Sequence, residues 1–246
     1  MYTSLIFISK LLRRTPLHPQ WLLNDTNDVI AWIKGHAHGT VLDVGCANRW
    51  IEPHLPTGTR YIGIDYWETG KNLYKARPDL FADAASLPIS SQCCDTVILL
   101  EVLEHTRKPL DALHEASRVL RPGGHLLLSI PFLYPIHDAP HDYQRLTKHG
   151  LERDLKDAGL DVVSIEEKNS SLEAATVLAC LAMGGSVVQS LRQRNAAVVF
   201  IPLLLISIFL FNILGWLGSR IFSNWSALTT GYRLLACKAS ISANHP

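Results

Sequence analysis

The side chains able to do chemistry fall into two groups. In the first half of the chain, acids stand at intervals behind apolar runs. Asp43 follows "TVL", Asp65 closes "YIGID", Asp83 follows "DLFA" and Glu101 closes "DTVILLE". Further on, "IHDAPHDYQR" gathers His137, Asp138, His141, Asp142, Tyr143 and Arg145, while His105 closes "EVLEH". An imidazole can take the proton of a hydroxyl or a protonated amine, so His105, His137 and His141 are candidate bases. Asp138, Asp142, Tyr143 and Arg145 are candidate substrate contacts. The same stretch could instead order itself, with Asp138 and Asp142 capping turns. The spacing of His137 and His141 suits a metal, but no other pattern points to zinc or magnesium, and no metal is expected. Cys93 and Cys94 precede a buried strand and read as packing residues. The five cysteines form no C-x-x-C pair, which fits free thiols in a reducing compartment.

The elements that must position these residues alternate. A helix is expected over 24–36, capped by Asn24 or Asp25, with Val29, Ile30 and Ile33 on one face. Strands are expected at "TVLDV", "TRYIGID", near "DLFAD", at "CDTVILLE", "HLLLSIP", "LDVVSIEE" and "YRLLACKA". A helix over 109–120 has Pro109 in its first turn and Leu110, Leu113, Ser117 and Leu120 inward. "RPGG" reads as a turn. Another helix starts near Thr147, with Leu151, Leu155 and Ala158 inward and Gly159 as its stop. Strands that are apolar throughout belong to a parallel sheet covered on both faces. Ligands of such sheets bind at the carboxyl ends of the strands, where the acids stand.

The loop after the first strand, "GCANRW", does not meet the dinucleotide fingerprint: Gly45, Ala47 and Trp50 occupy its three glycine positions. An acidic rim repels a pyrophosphate. It favours a ligand with a sulfonium, an ammonium and ribose hydroxyls, and S-adenosylmethionine is such a ligand. A side chain at position 47 is tolerable at negative φ and strained at positive φ.

"VLDVGCANR", "YIGIDY", "ADAASLP", "DTVILLEVLEH" and "ALHEASRVLRPGGHLLLSIPF" resemble the successive motifs of class I S-adenosylmethionine-dependent methyltransferases of the small-molecule, type 11-like kind. The resemblance covers about 38–168, and "YRLLACK" resembles the family's final antiparallel strand. It implies a Rossmann-like α/β fold, a seven-stranded mainly parallel sheet with helices on both faces, here carrying an apolar helical insertion before the last strand. It also implies a cofactor site. Asp43, Gly45, Cys46 and Ala47 would line the methionine end, and Asp65 with Tyr66 the ribose. Asp83 and Ala84 would sit by the adenine, and Glu101 near the methyl-transfer face.

A net charge of +1 without a Lys/Arg block argues against a nucleic-acid groove. From Asn195 to Ser219 there is no charged residue, a run long enough to cross a bilayer. At the N-terminus, "MYTSLIFISKLLRR" puts its basic residues after the apolar core, unlike a secretory signal, and reads as an interfacial helix. Four parts are expected: 1–23, an N-terminal interfacial segment; 24–168, the methyltransferase core; 169–230, a hydrophobic helical insertion; and 231–246, the last strand and tail. A single crossing by the insertion would strand the last strand across the bilayer from its sheet. The alternatives are two crossings, an in-plane hairpin on the cytoplasmic leaflet with Arg192 and Arg194 at the headgroups, or a helical pair packed against protein. Pro202 is expected to kink a straight span, which favours the in-plane hairpin. The expectation is a cytoplasmic, membrane-associated enzyme that touches lipid through 172–218 and methylates a small-molecule or lipid-linked acceptor. Homo-oligomerisation is left open. The alternative is a non-catalytic subunit that keeps the fold and uses the apolar hairpin as its partner site.

Overall fold

The computed structural model describes residues 11–240, so the first part of the expected interfacial segment lies outside the described residues. Two units form, each discontinuous in sequence. One holds 27–132, 136–166 and the chain from 231; the other holds the chain up to 26, 133–135 and 167–230.

The first unit is built on a seven-stranded sheet of order β3-β2-β1-β4-β5-β7-β6. The strands are β1 (Thr40–Val44), β2 (Arg60–Asp65), β3 (Leu80–Phe81), β4 (Cys94–Leu100), β5 (Leu120–Pro131), β6 (Leu160–Glu167) and β7 (Gly231–Lys238). Pairings from β3 through β5 are parallel, and β7 runs antiparallel to β5. Three helices cover the sheet: α1 (Thr26–His36), α2 (Pro109–Val119) and α3 (Lys148–Asp157).

The strand period of two sorts the core into two faces. Leu42, Val97, Leu99, Leu126, Leu128 and Leu234 pack with Leu113 and Ala116 of α2 and Leu151 and Leu155 of α3. Val41, Ile98, Leu127 and Leu235 point the other way, onto Ile33 and Ala37 at and beyond α1. Both faces are therefore dry, which is why the strands carry no polar alternation. The α3 cap is the one expected: Thr147 Oγ1 accepts from Gly150 N at 3.1 Å, and Gly159 at φ 75° ends the segment.

Two local expectations are corrected and one is refined. "RPGG" lies within the span of β5 but interrupts its pairing: Leu120 faces Cys94 and His125 faces Thr96, so 121–124 turn out of register, with Gly123 at φ 78°. Glycine is needed at 124 because a Cβ there would lie 2.9 Å from Arg121 O and 3.0 Å from Asp95 O, a close backbone approach typical of a bulge. β3 is only two residues long, so Asp83 lies beyond it in an isolated bridge to Ser86. Helix α2 buries Ala112, Leu113, Ala116, Ser117 and Val119; Leu110 is only partly covered, and Leu120 already belongs to β5. Helix α1 begins at Thr26, directly after Asp25, one of the two expected caps.

The second unit is a helical hairpin with an N-terminal strap. α4 (Ser171–Gln193) opens with a capping box, Ser170 Oγ accepting from Glu173 N and Glu173 Oε2 accepting from Ser170 N. Arg194, in left-handed backbone at φ 52°, ends it, and a 3-10 turn (Ala196–Phe200) leads into α5 (Ile201–Ile221). The helices are antiparallel: Gly218 lies against Leu172, Gly215 against Thr176, and Cys180 against Ile208 and Asn212. Pro202 falls in the first turn of α5, where no intrahelical bond is lost, so the expected kink does not arise. Asn212, fully buried in the apolar run, donates to Pro16 O at 2.7 Å and His18 O at 3.0 Å. Residues 13–20 are turns, and Trp21–Leu23 is one 3-10 turn. The described part of the N-terminal segment is thus a strap on the hairpin, with Pro19 close to Gly184 and Leu22 close to Gly215.

Candidate active site

At the carboxyl end of β1 the chain turns back over β2: Gly45 N and Cys46 N both donate to Ile64 O, at 2.8 and 3.0 Å. Gly45, Ala47 and Arg49 all take positive φ, at 82°, 45° and 63°. Position 47 therefore carries the strain that a side chain suffers in left-handed backbone, about 1–2 kcal/mol. Neighbours hold it. Ala47 N donates to Asp65 Oδ2 at 2.7 Å, and Arg77 N donates to Ala47 O at 2.9 Å. Arg49 grips Glu52 and Asp79, both at 2.8 Å, and lies over the Tyr61 ring. A Cβ on Gly45 would sit 2.5 Å from Val102 Cγ2.

Asp43 and Asp65 are each only 4% exposed. Tyr61 O–H donates to Asp43 Oδ2 at 2.6 Å. Burial, which outweighs that bond, and the nearby Asp65 charge push the Asp43 carboxyl up to about 7. Burial also raises Asp65, opposed by the N–H groups of Ala47 and Tyr66. Gly70 leaves room for Asp65, since a Cβ there would be 2.5 Å from Oδ1. Two buried carboxyl groups that act on each other give this end of the sheet a negative potential that a cation offsets.

The remaining expected cofactor residues behave differently. Cys46 is buried, burial pushes its thiol up to about 12, and its backbone is engaged, N–H donating to Ile64 O and C=O accepting from Arg49 N. Asp83 is exposed and caps a turn, accepting from Ala85 N at 2.9 Å, while Ala84 packs into the core. The Asp83 carboxylate therefore does not join Asp43 and Asp65, and the acidic rim is narrower than four strand ends. Tyr66 is exposed. Glu101 takes φ 55°, accepts from Ser129 Oγ at 2.7 Å and donates its N–H to Ser129 O at 3.0 Å.

Beyond β4, a 3-10 turn (Leu103–His105) meets the loop after β5. Tyr143 N donates to Glu104 O at 2.9 Å, and Gln144 Nε2 donates to Thr106 O at 2.8 Å and to Leu103 O. This stitching brings His105 and His137 together, ring centroids 4.8 Å apart and edge to face. His105 Nδ1 lies 2.8 Å from His141 O, and burial lowers the ring's pKa, so His105 is neutral. His141 enters through its carbonyl, its own Nδ1 lying 3.4 Å from Tyr143 Oη. Asp138 pairs with the Tyr74 hydroxyl.

Asp142 and Arg145 face each other. The guanidinium donates to both carboxylate oxygens, at 2.5 and 2.7 Å, His137 N adds 2.9 Å, and Asp142 is held down at about 2. For this pair the self-ordering reading is the better description. Tyr143 is exposed and accepts from Arg107 Nε at 3.2 Å.

Sequence reasoning missed Glu104. Its side chain is fully buried, and neither carboxylate oxygen has a hydrogen-bond partner from another residue. Burial first, and then the Glu101 charge, push it up to about 9. The signal was its place in "EVLEH", one residue before a histidine already singled out.

A family model described as a methyltransferase domain matches residues 42–128. The ubiquinone biosynthesis O-methyltransferase of Azoarcus sp. (strain BH72) is 30% identical over 169 residues, covering 54% of this chain and 70% of that protein. The 27-O-demethylrifamycin SV methyltransferase of Amycolatopsis mediterranei is 29% identical over 183 residues, covering 64% of this chain and 66% of that protein. Among solved structures, the S-adenosylmethionine-dependent methyltransferase of Mesorhizobium loti shares the fold with a TM-score of 0.51 at 14% identity, over 89% of this chain and 97% of that one. The sheet order, the motifs and these likenesses agree: the chain belongs to the class I methyltransferases and is an enzyme whose methyl donor is S-adenosylmethionine.

Proposed function

We propose that the chain transfers the methyl group to a hydroxyl of a lipid-borne small molecule at a membrane surface. The observation that carries the lipid part is the exposed apolar surface of α5 and the turn before it, which includes Val199, Leu203, Ile206, Leu210, Leu214, Leu217 and Ile221 and, beside them, Leu205, Phe209, Phe211 and Trp216. It runs around most of the helix, and only Ile208, Asn212, Gly215 and Gly218 are buried on the remaining side. In-plane seating is favoured because it keeps Arg192 and Arg194, at the turn between the two helices, at the headgroups, where two crossings would carry them to the far side. Exposed on α4 are Leu172 and Val188 together with the small or polar Ala175, Ala182, Gly185, Ser186 and Gln189.

At the donor end, the buried Asp43 and Asp65 carboxylates favour a ligand bearing sulfonium and ammonium charge. Asp43, Gly45 and Ala47 serve the methionine end, Cys46 holding the loop that carries them, and Asp65 with Tyr66 serves the ribose hydroxyls. Ala84 and Asp83 border the adenine, with Asp83 at the solvent edge. Glu101 stands by the methyl group. The transfer is an in-line displacement: the acceptor oxygen forms the new bond to the methyl carbon, and the carbon–sulfur bond breaks with its electron pair left on sulfur. The chain's main contribution is alignment and exclusion of water. The acceptor's proton leaves by way of the His105, His137 and His141 cluster, with Asp138 beside it. Both curated relatives described above are named for methyl transfer to oxygen, which supports a hydroxyl acceptor.

Vesicle flotation with the full chain tests the lipid part. The protein is expected to float with anionic vesicles, and Leu203→Glu with Leu210→Glu to leave it at the bottom. Labelled methyl from the donor is expected in the organic phase of a membrane extract. A chain that ignores vesicles and labels only water-soluble acceptors contradicts the proposal.

A further inference from the structure

We propose that Glu104, His105 and His137 form a binding site for one divalent transition-metal cation. The three side chains offer one carboxylate oxygen and two imidazole nitrogens, all within 4.8 Å of one another. Glu104 Oε1 lies 3.7 Å from His105 Nε2 and 4.0 Å from His137 Nε2. Those separations are too long for hydrogen bonds. They are close to the roughly 3.4 Å between neighbouring ligands on a tetrahedral ion with bonds of about 2.0–2.1 Å, and small side-chain rotations close the gap.

The second observation is the state of Glu104. A fully buried carboxylate without a donor is costly when ionised, and when protonated its O–H here finds no acceptor. The charged groups that act on it are Glu101 and Asp142, both negative, and Arg145, whose guanidinium donates to both Asp142 oxygens and to Gln144 O and makes no hydrogen bond to Glu104. A cation at Oε1 meets that need directly.

The outer contacts fit as well. A ligating histidine is ordinarily oriented by a carboxylate or carbonyl on its other nitrogen. His137 Nδ1 lies 3.2 Å from Asp142 Oδ2 and His105 Nδ1 lies 2.8 Å from His141 O, so both rings turn Nε2 toward Glu104. The sequence spacing had instead paired His137 with His141, which contributes a carbonyl to His105. Two imidazoles and one carboxylate suit manganese, iron, cobalt, nickel or zinc better than magnesium or calcium, and three protein ligands leave a position open.

The site deepens the proposed function without depending on the lipid reading. An acceptor oxygen in the open position would lose its proton more readily beside the ion, with His105 and His137 serving as ligands in place of bases and the proton passing to water or to the His141 imidazole. The test uses the full-length chain, stripped with chelator and titrated with cobalt(II) without donor or acceptor. The expected result is a saturable visible absorption band at one ion per chain. It should weaken about 100-fold or more in both Glu104→Gln and His137→Ala, and stay unchanged in His149→Ala, an exposed histidine outside the cluster. Binding of S-adenosylhomocysteine by each variant checks folding, and His137→Ala, at a partly exposed position, guards against loss of fold in the buried variant. No saturable band, or a band indifferent to both substitutions, overturns the proposal. Failure of flotation alone leaves the metal result standing, and the reverse holds too.

Discussion

Replacing Asp43 by Asn probes the charge at the heart of the donor pocket. The carboxyl ordinarily titrates at 3.8 and is raised to about 7 in the folded chain, chiefly by burial. Below pH 3.8 it is protonated whether the chain is folded or not, and costs nothing. As pH rises the unfolded chain ionises first, so stability falls until pH passes about 7 and then levels off. At 1.36 kcal/mol per unit, the rise from 3.8 to about 7 corresponds to a loss of about 4 kcal/mol, an order-of-magnitude figure. Asn keeps an acceptor for the Tyr61 hydroxyl and removes the charge. Urea unfolding of the donor-free protein should show Asp43→Asn more stable than wild type by several kcal/mol at pH 8, the gain shrinking toward zero near pH 4. On the proposed reading the same charge faces the donor. Calorimetry in buffers of different ionisation enthalpy should show that S-adenosylmethionine expels a proton from wild type below pH 7, and none from Asp43→Asn. Equal stability of the two proteins at pH 8, or identical proton release, would refute the reasoning.

Gly70→Ala should displace the Asp65 carboxylate, because the new Cβ falls 2.5 Å from Oδ1, and so raise KM for the donor several-fold while thermal stability changes little. Leu128→Ala, at a fully buried position in the face that packs on α2 and α3, should cost about 2–5 kcal/mol in denaturant unfolding with donor affinity at saturation unchanged. Gly45→Ala should abolish donor binding in calorimetry, since its methyl meets both positive φ and Val102 at 2.5 Å.

The parts of this molecule that can be read from sequence are those fixed by local period and caps. "TVLDV" and "DTVILL" become β1 and β4 because apolar residues on both faces leave no other stable burial, and Thr147 with Gly159 brackets α3 through local backbone chemistry. "RPGG" does turn, with Gly123 at φ 78°, but inside β5 and not before it, because Gly124 permits a close backbone approach to Asp95 on the neighbouring strand and the pairing resumes at His125. Asp83 misleads because β3 is two residues long, too short for its end to be read from pattern. Glu104 is hidden for a deeper reason. Its isolation arises only when the 136–145 loop folds over "EVLEH", pairs Arg145 with Asp142 and leaves the carboxylate without a donor. No local signal encodes a partner that tertiary packing withholds. The same holds for Ala47: its positive φ follows from the bond to Asp65 and the hold of Arg77, both distant in sequence.

The most direct test of the donor site is calorimetric titration of the full chain with S-adenosylmethionine, S-adenosylhomocysteine and NAD, repeated on Asp65→Ala. The account predicts one-to-one binding of both sulfur ligands, weakened at least about tenfold by the substitution, with NAD failing to bind or compete. Displacement by NAD, or affinity for the sulfur ligands that ignores the loss of Asp65, contradicts it.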